Sequence, residues 1–434
     1  MTAFTDPVYW WHTCKTTNNR KRKYAMNRAP VHFAIKIVFA TLFIIWLLAA
    51  IDKVSAEEEY AVPNSGSPYT NLKDVEVGGI VHIPTGVQVT QDQMVEMASH
   101  SRVIYIGETH DNLEAHRAQL ETIQKLAQKF PGKVAVGMEM FRRSAQPDLG
   151  RWSRGELPVK EFKKLFHNNW GPGFAVYRPI FDFAREHSIP LLGLKSSRET
   201  EAEFRKEESA GSQDLFPELD ETDPYHKAYS LSVFGGHEDH AEALAKPYRM
   251  LLLWEETMAQ TVAEFLQNEN FSDWKLVVLA GGFHVQYGFG IPKRAFRRVP
   301  HAYSIILPTV TELPAELKDR EMDVKHISIP LYSADFAWKL EYKVLPEGKV
   351  RLGVQLKEEE SGVSVQAVGK SSNAGRAGIQ AGDILLALNG EAIDDVEDLI
   401  ERLKTFDFGD RAAIQFRRGG ETREVEVVFA EPSP

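Results

Sequence analysis

The sequence of 434 residues predicts an α/β domain, with a mainly parallel sheet flanked by helices, followed by a small α+β domain. Three observations point there. Short apolar, β-branched runs closed by glycine or an acid suit central strands of a parallel sheet: Arg102-Val103-Ile104-Tyr105-Ile106, Val134-Ala135-Val136-Gly137-Met138 and Lys275-Leu276-Val277-Val278-Leu279-Ala280. From Val75 to about Pro308 such runs alternate with helical patterns, as α/β folds do. From Val350 onward shorter strands, glycine turns and one helical stretch take over.

Residues 1–56 read as a leader with a signal peptide or N-terminal anchor. Arg20-Lys21-Arg22-Lys23 and Arg28 precede the apolar run Ile37 to Ile51, and Val54-Ser55-Ala56 then supplies small residues for cleavage before Glu57. Translation from Met26 would give a conventional signal order. The expected product is exported, either periplasmic or anchored to the periplasmic face of an inner membrane. Cys14 is the single cysteine and lies upstream of that site, so the processed chain would hold no thiolate nucleophile, thiolate metal site or lipid-modified cysteine. A net charge of −10, from 51 basic and 61 acidic side chains, argues against a nucleic-acid partner.

Residues 57–74 are charged, then rich in Pro, Gly, Ser and Asn, and are expected to form a flexible leader. Residues 75–310 hold the first domain. His82 follows Gly79 in a turn-rich stretch and reads as a hairpin histidine. Leu113, Leu120, Ile123, Leu126 or Ala127, and Phe130 share one helical face just after His110, with Asp111 as the expected cap. Tyr177 to His187 reads as a helix leading into the strand Ile189 to Leu194. Ser196 to Asp223 reads as a helix and a solvated acidic loop, and Met250 to Gln267 as a long packed helix. His237 and His240 are expected to begin a solvated helix, with metal binding as the alternative. Lys293 to Arg298 is expected to be a solvated basic helix face, with contact to anionic groups as the alternative. Residues 311–349 are expected to connect this domain to the second, at 350–430.

Two loops carry the chemistry. Gly107-Glu108-Thr109-His110 and Gly281-Gly282-Phe283-His284 each follow a strand, and ligands of parallel sheets sit beyond the carboxyl ends of the strands. With 30 Gly and 14 His, a Gly-x-x-His spacing arises by chance roughly once, so the strand-end context carries the signal. Glu139, closing the run Val134 to Met138, would join the same rim. His110, His284, Glu108 and Glu139 therefore form one candidate constellation. The structural alternative is that the histidines bond to strand ends and the glutamates cap or pair with Arg142 or Arg143.

Taken in order, Ile106 to Asp111, Gly137 to Phe141, Trp254 to Ala259, and Ala280 to Val285 resemble the ChaN family of the Tiki superfamily, which is linked to haem binding and iron uptake. The resemblance implies a haem site with His110, His284 or Tyr177 near the ring. Tyr177, in the aromatic loop from Trp170, is then the candidate iron ligand, and ordinary packing is its alternative. The wider superfamily implies a second possibility, a metal-dependent hydrolase. There His110, His284 and Glu139 would ligate zinc or manganese and Glu108 would act as base. Family members are often lipid-anchored, and this chain lacks the cysteine for it.

Ala377 to Gly390, with Gly382-Asp383-Ile384 at its centre, resembles a PDZ domain of the bacterial protease-associated kind. That implies capture of a protein C-terminus beside an open strand edge. Leu352, Gly353 and Val354 match the carboxylate loop, with Arg351 where glycine is common. Val396, Leu399, Ile400 and Leu403 match the groove helix.

Overall fold

The structure, a computed structural model, describes residues 71–206, 216–233, 241–320, 329, 331–345, 348–359 and 362–431. The signal and cleavage-site expectations, His237 and His240 lie outside the described residues.

A short hairpin opens the first domain: β1 (Ile80–His82) pairs antiparallel with β2 (Val87–Val89), and His82 Nδ1 lies 2.9 Å from Thr85 Oγ1 in the turn. Then follow α1 (Gln91–Ala98), β3 (Val103–Glu108), α2 (Leu113–Lys129) and β4 (Val134–Arg142). Next come α3 (Gln146–Ser153), α4 (Val159–Asn169), α5 (Phe174–Glu186), β5 (Leu191–Lys195), α6 (Arg198–Lys206) and α7 (Pro224–Val233). The domain ends with α8 (Ala241–Gln267), β6 (Lys275–Gly281), α9 (Gly282–Val285), α10 (Ile291–Arg298), β7 (Tyr303–Thr309) and β8 (Phe336–Lys339). The sheet runs β2-β1-β8-β7-β3-β6-β4-β5, parallel from β8 to β5 with the antiparallel hairpin on one edge.

Successive strand residues face opposite sides, and here both sides are covered. Ile104, Ile106, Val136, Met138, Val277 and Leu279 pack under Ile123, Trp152, Phe162 and Phe181. Their neighbours Val103, Tyr105, Ala135, Val278 and Ala280 pack on the other face with Met258, Val262 and Ile291. This explains why the strand runs are apolar without alternation.

Three expectations need correction. The segment 311–349 is more than a connector: Phe336, Ala337 and Trp338 are buried in β8, between β1 and β7, because their apolar side chains complete both cores. Asp111 does not cap α2. Asn112 does, its Oδ1 accepting from the Glu114 N–H at 3.2 Å, while Asp111 Oδ1 accepts from Tyr342 at 2.6 Å. The basic run of α10 is solvated only in part: Lys293 and Arg297 are exposed, but Arg294 is turned inward and only 2% exposed.

The second domain contains β9 (Val354–Glu359), β10 (Gly362–Val368), α11 (Asn373–Arg376), β11 (Ile384–Leu388), β12 (Glu391–Ala392), α12 (Val396–Leu403), β13 (Arg411–Arg418) and β14 (Glu421–Val428). Its order is β14-β13-β11-β10-β9, with β12 beside β11, so among the described residues β9 keeps one edge open. Lys163 on α4 reaches Asp395 at 2.7 Å and Glu397 at 3.2 Å, which ties the start of α12 to the first domain.

Buried Asp383 accepts from Arg418 Nε and Nη2, both at 2.6 Å, and from the Gln380 N–H at 2.8 Å. Burial raises its carboxyl; the Arg418 and Gln380 bonds outweigh that and hold it below the ordinary carboxylate value. Because the folded value is depressed, its stabilisation is complete above the ordinary value near 3.9 and is lost as pH falls through the folded one. Amide exchange at β11 and β13, taken relative to its intrinsic rate at each pH, is expected to quicken as the full chain is acidified below about pH 4. Arg418→Met should quicken it already at neutral pH.

Candidate functional site

The carboxyl ends of β3, β6 and β4 lie side by side, Glu108 paired with Gly281 and Met138 with Leu279. Beyond Met138 the pairing of β4 with β5 breaks and resumes at Arg142 and Lys195, and Glu139 sits in that irregular stretch. Its Oε2 accepts from the Gly281 N–H at 2.8 Å. Gly281 has no side chain for a reason. A Cβ there would stand 3.0 Å from His110 Cε1, 3.2 Å from His110 Nε2 and 3.6 Å from Glu139 Oε2. His110, Glu139 and His284 are thereby brought together, 174 positions notwithstanding.

Glu108 is buried and accepts three hydrogen bonds. His110 Nδ1 donates to its Oε1 at 2.8 Å, Tyr177 Oη to the same oxygen at 2.5 Å, and Gln119 Nε2 to Oε2 at 2.7 Å. His116 completes the net, with Nδ1 at 2.9 Å from Gln119 Oε1 and Nε2 at 3.1 Å from the His110 carbonyl. Burial would raise the Glu108 carboxyl, but the charge of His116 and the bonds from His110 and Tyr177 hold it below its usual value. Burial would lower His110, and Glu108 and Glu139 raise it instead. The His110 side chain remains 46% exposed, its edge against the Trp170 ring at 4.9 Å between centroids. His110 Nε2 makes no hydrogen bond among the described residues.

A second chain runs inward. His284 Nε2 faces Glu139 Oε1 at 3.5 Å, and its Nδ1 faces Glu255 Oε1 at 3.1 Å. Burial opposes a charge on His284, yet the two carboxylates raise it to about 10, so it is an imidazolium at neutral pH. Glu255 also meets His226 Nε2 at 2.9 Å and Arg294 Nε at 3.2 Å. Arg294 Nη1 reaches Glu256 at 2.8 Å, and Arg297 and Arg298 close on the same carboxylate at 3.1 and 2.5 Å. Gly290 lets the chain turn against this net, since a Cβ there would meet the His284 carbonyl and Glu255 Oε1.

Each expected site residue now has a place. Tyr177 needs correction as an iron ligand: it is 1% exposed with its hydroxyl turned onto Glu108, so it supports that carboxylate and packs among Phe166 and Phe181. The metal set also fits poorly. A ligating histidine must offer a bare nitrogen, whereas both nitrogens of His284 face carboxylates. Among the described residues no group of three or more His, Cys, Asp or Glu is disposed to hold a metal ion. Arg142 pairs with Glu201 and Arg143 with Glu264, not with Glu108 or Glu139.

Sequence reasoning gave no role to Glu255, Glu256 and His226. Two adjacent acids inside the apolar stretch Leu251 to Ala259 were the available signal, for such a pair cannot be buried without cations. Arg294 lies between the buried Ile291 and Ala295, which is the matching signal on α10.

In the second domain, Asn373 Nδ2 bonds the Arg351 carbonyl at 2.7 Å, Ala374 N–H the Leu352 carbonyl at 2.9 Å and Gly369 N–H the Gly353 carbonyl at 3.0 Å. A trans peptide points its N–H opposite its C=O. The amides of Leu352, Gly353 and Val354 therefore face away from that turn. Gly353 has φ +74°, and a Cβ would strike Ser372. On α12, Val396 is partly buried and Ile400 is 48% exposed. Leu399 and Leu403 are core residues and do not line the groove, because the opposite side of this short helix covers the sheet. Leu352 is likewise buried, so its side chain belongs to the core and does not line the groove.

Residues 94–295 match the family model described as haem-binding uptake, Tiki superfamily, ChaN, and residues 350–428 match the PDZ domain. A structure of ChaN of Campylobacter jejuni, described with cofacial haem binding, is 17% identical, with 60% of this chain and 95% of that chain covered and a TM-score of 0.46. The probable periplasmic serine endoproteases DegP-like of Brucella suis and Brucella abortus are each 35% identical over 72 residues, 17% of this chain. The match spans only 14% of those relatives' own length. The PDZ domain of HtrA3 with a phage-derived ligand is 25% identical, covering 19% of this chain and 86% of that one, with a TM-score of 0.17.

Proposed function

From a chain that joins a ChaN-type domain to a PDZ domain, we propose an exported haem-binding protein that is brought to its place of work by a partner's C-terminus. One observation carries the haem reading: His110 is half-exposed at the sheet rim with Nε2 open, while Nδ1 is held at 2.8 Å by the buried Glu108. A metal-ligating histidine characteristically donates its other N–H to a carboxylate, which fixes the ring and strengthens the ligand. His110 would hold the iron; Glu108, Tyr177 and Gln119 would hold His110. Haem, when bound, would supply an iron that an imidazole can ligate. His284 is assigned to the buried charge chain, positioning Glu139 beside the ring.

Titrating the purified chain with haemin tests the reading: a saturable shift of the Soret band supports it, and a spectrum that stays that of free haemin overturns it. The hydrolase alternative fits the residues poorly, since His284 is doubly paired and Glu108 already accepts from His110, Tyr177 and Gln119.

Support for export comes from the basic, apolar, small-residue order before Glu57 and from DegP-like relatives described as periplasmic. No helix among the described residues is long and apolar enough to cross a membrane. For the partner, support lies in the open edge of β9, the outward amides of Leu352 to Val354, and the apolar rim of Val396 and Ile400. Amidating the C-terminus of a bound peptide is expected to weaken it by about tenfold, roughly one hydrogen bond to a charged group. Equal affinities of acid and amide in a fluorescence-polarisation assay would remove the carboxylate model.

A further inference from the structure

We infer that Lys195 is the cation that receives a carboxylate of the planar ligand at this rim, an inference that rests on the haem reading above. Lys195 closes β5, where the pairing with β4 resumes at Arg142. Its Nζ stands 4.5 Å from the Trp254 ring centroid and 5.2 Å from that of Trp170. Trp170 also lies against His110 at 4.9 Å, so the histidine, one indole and the ammonium follow each other along the mouth. An ammonium has three donors and no acceptor, and indole faces satisfy its charge but none of its N–H groups. The described residues give Lys195 no hydrogen bond and no ion pair.

The neighbouring acids are taken. Glu201 accepts from Arg142 at 2.7 Å, Ser196 at 3.0 Å and Trp254 Nε1 at 3.0 Å, which also fixes the plane of Trp254. Glu139 accepts from Gly281 and faces His284. Of the arginines at this end of the sheet, Arg142, Arg143 and Arg294 have carboxylate partners, and Arg198 donates to the Asn168 carbonyl at 2.8 Å. Lys195 differs from them: its ammonium lies against Trp170, which itself touches His110, and no carboxylate of the described residues is within ion-pair distance, although its charge is felt at Glu139. A ligand that brings its own carboxylate, at the edge of a ring whose iron meets His110, supplies the missing acceptor. The propionates of haem are such groups.

The test compares haemin with its dimethyl ester, which keeps iron and macrocycle and removes both negative charges. Wild-type chain is expected to bind haemin at least tenfold more tightly than the ester. Lys195→Met should bring haemin down to the level of the ester and leave the ester unchanged, and Lys195→Arg should retain the preference. Haemin binding by Lys195→Met equal to wild type overturns the inference while leaving the haem reading intact. Equal losses for haemin and ester overturn it too, because Lys195 would then act by holding Trp170 and Trp254. If wild type binds neither compound, the haem reading fails and this inference falls with it.

Discussion

Replacing Arg294 by methionine is expected to lower the stability of the first domain by about 3–5 kcal/mol, the range for removing one partner of a buried ion pair. Glu255 and Glu256 are both 0% exposed, and Arg294 is the cation that touches each of them. Methionine fills much of the same volume, so the loss measures charge and not a cavity. Arg297 and Arg298 still reach Glu256 afterwards, whereas Glu255 keeps only His226 and His284. A second change, Glu256→Gln in the Arg294→Met background, is therefore expected to recover less than half of the loss. Urea unfolding followed by circular dichroism gives both values. Arg117→Ala is the control, for its pairs with Glu114 and Glu121 are solvent-exposed and worth under about 1 kcal/mol. Similar losses for Arg294→Met and Arg117→Ala would mean that the buried net is not what holds α8, α10 and the His284 loop together.

That net marks the boundary of what the sequence made legible. The parallel strands were readable because β3, β4 and β6 are buried on both faces and show it as unbroken apolar runs. Convergence of His110, Glu139 and His284 followed, since strands of one parallel sheet end at one rim. What eluded the sequence is the pairing of charges across elements. Arg294 sits in a run of four basic side chains that has the composition of a solvated face, and only the packing of α10 against α8 turns it inward. Tyr177 shows the same limit: an aromatic after a glycine loop offers the same letters whether its hydroxyl meets a ligand or, as here, Glu108. β8 was hidden for another reason. Phe336 to Lys339 is only four residues long, and its edge partner β1 lies more than 250 positions earlier, so no local pattern announces it. The helix Val396–Leu403 was readable from its periodicity, but helical spacing alone does not tell Leu399 and Leu403, facing the core, from Ile400, facing out.

Removing the carboxylate behind His110 is expected to weaken haem binding by about 10–100-fold, the usual cost of losing the outer partner of a metal-ligating histidine. Glu108→Gln keeps the shape of the side chain and its bonds with Tyr177 and Gln119 in altered form, but it no longer presents a negative oxygen to His110 Nδ1. The ring then loses both its fixed orientation and the electron donation that makes Nε2 a better ligand. His110→Ala should go further and abolish the histidine-ligated Soret spectrum, because the described residues place no other open imidazole at this mouth: His116 is buried in the Glu108 net and His284 is doubly paired. Tyr177→Phe removes only one donor to Glu108 and should cost less than Glu108→Gln. The order His110→Ala, then Glu108→Gln, then Tyr177→Phe distinguishes a histidine ligand with a supporting tyrosine from the reverse. If Tyr177→Phe instead removes the spectrum while His110→Ala retains it, the iron binds the phenolate, and the first turn of α5, which carries Tyr177, must open away from Glu108 to receive it.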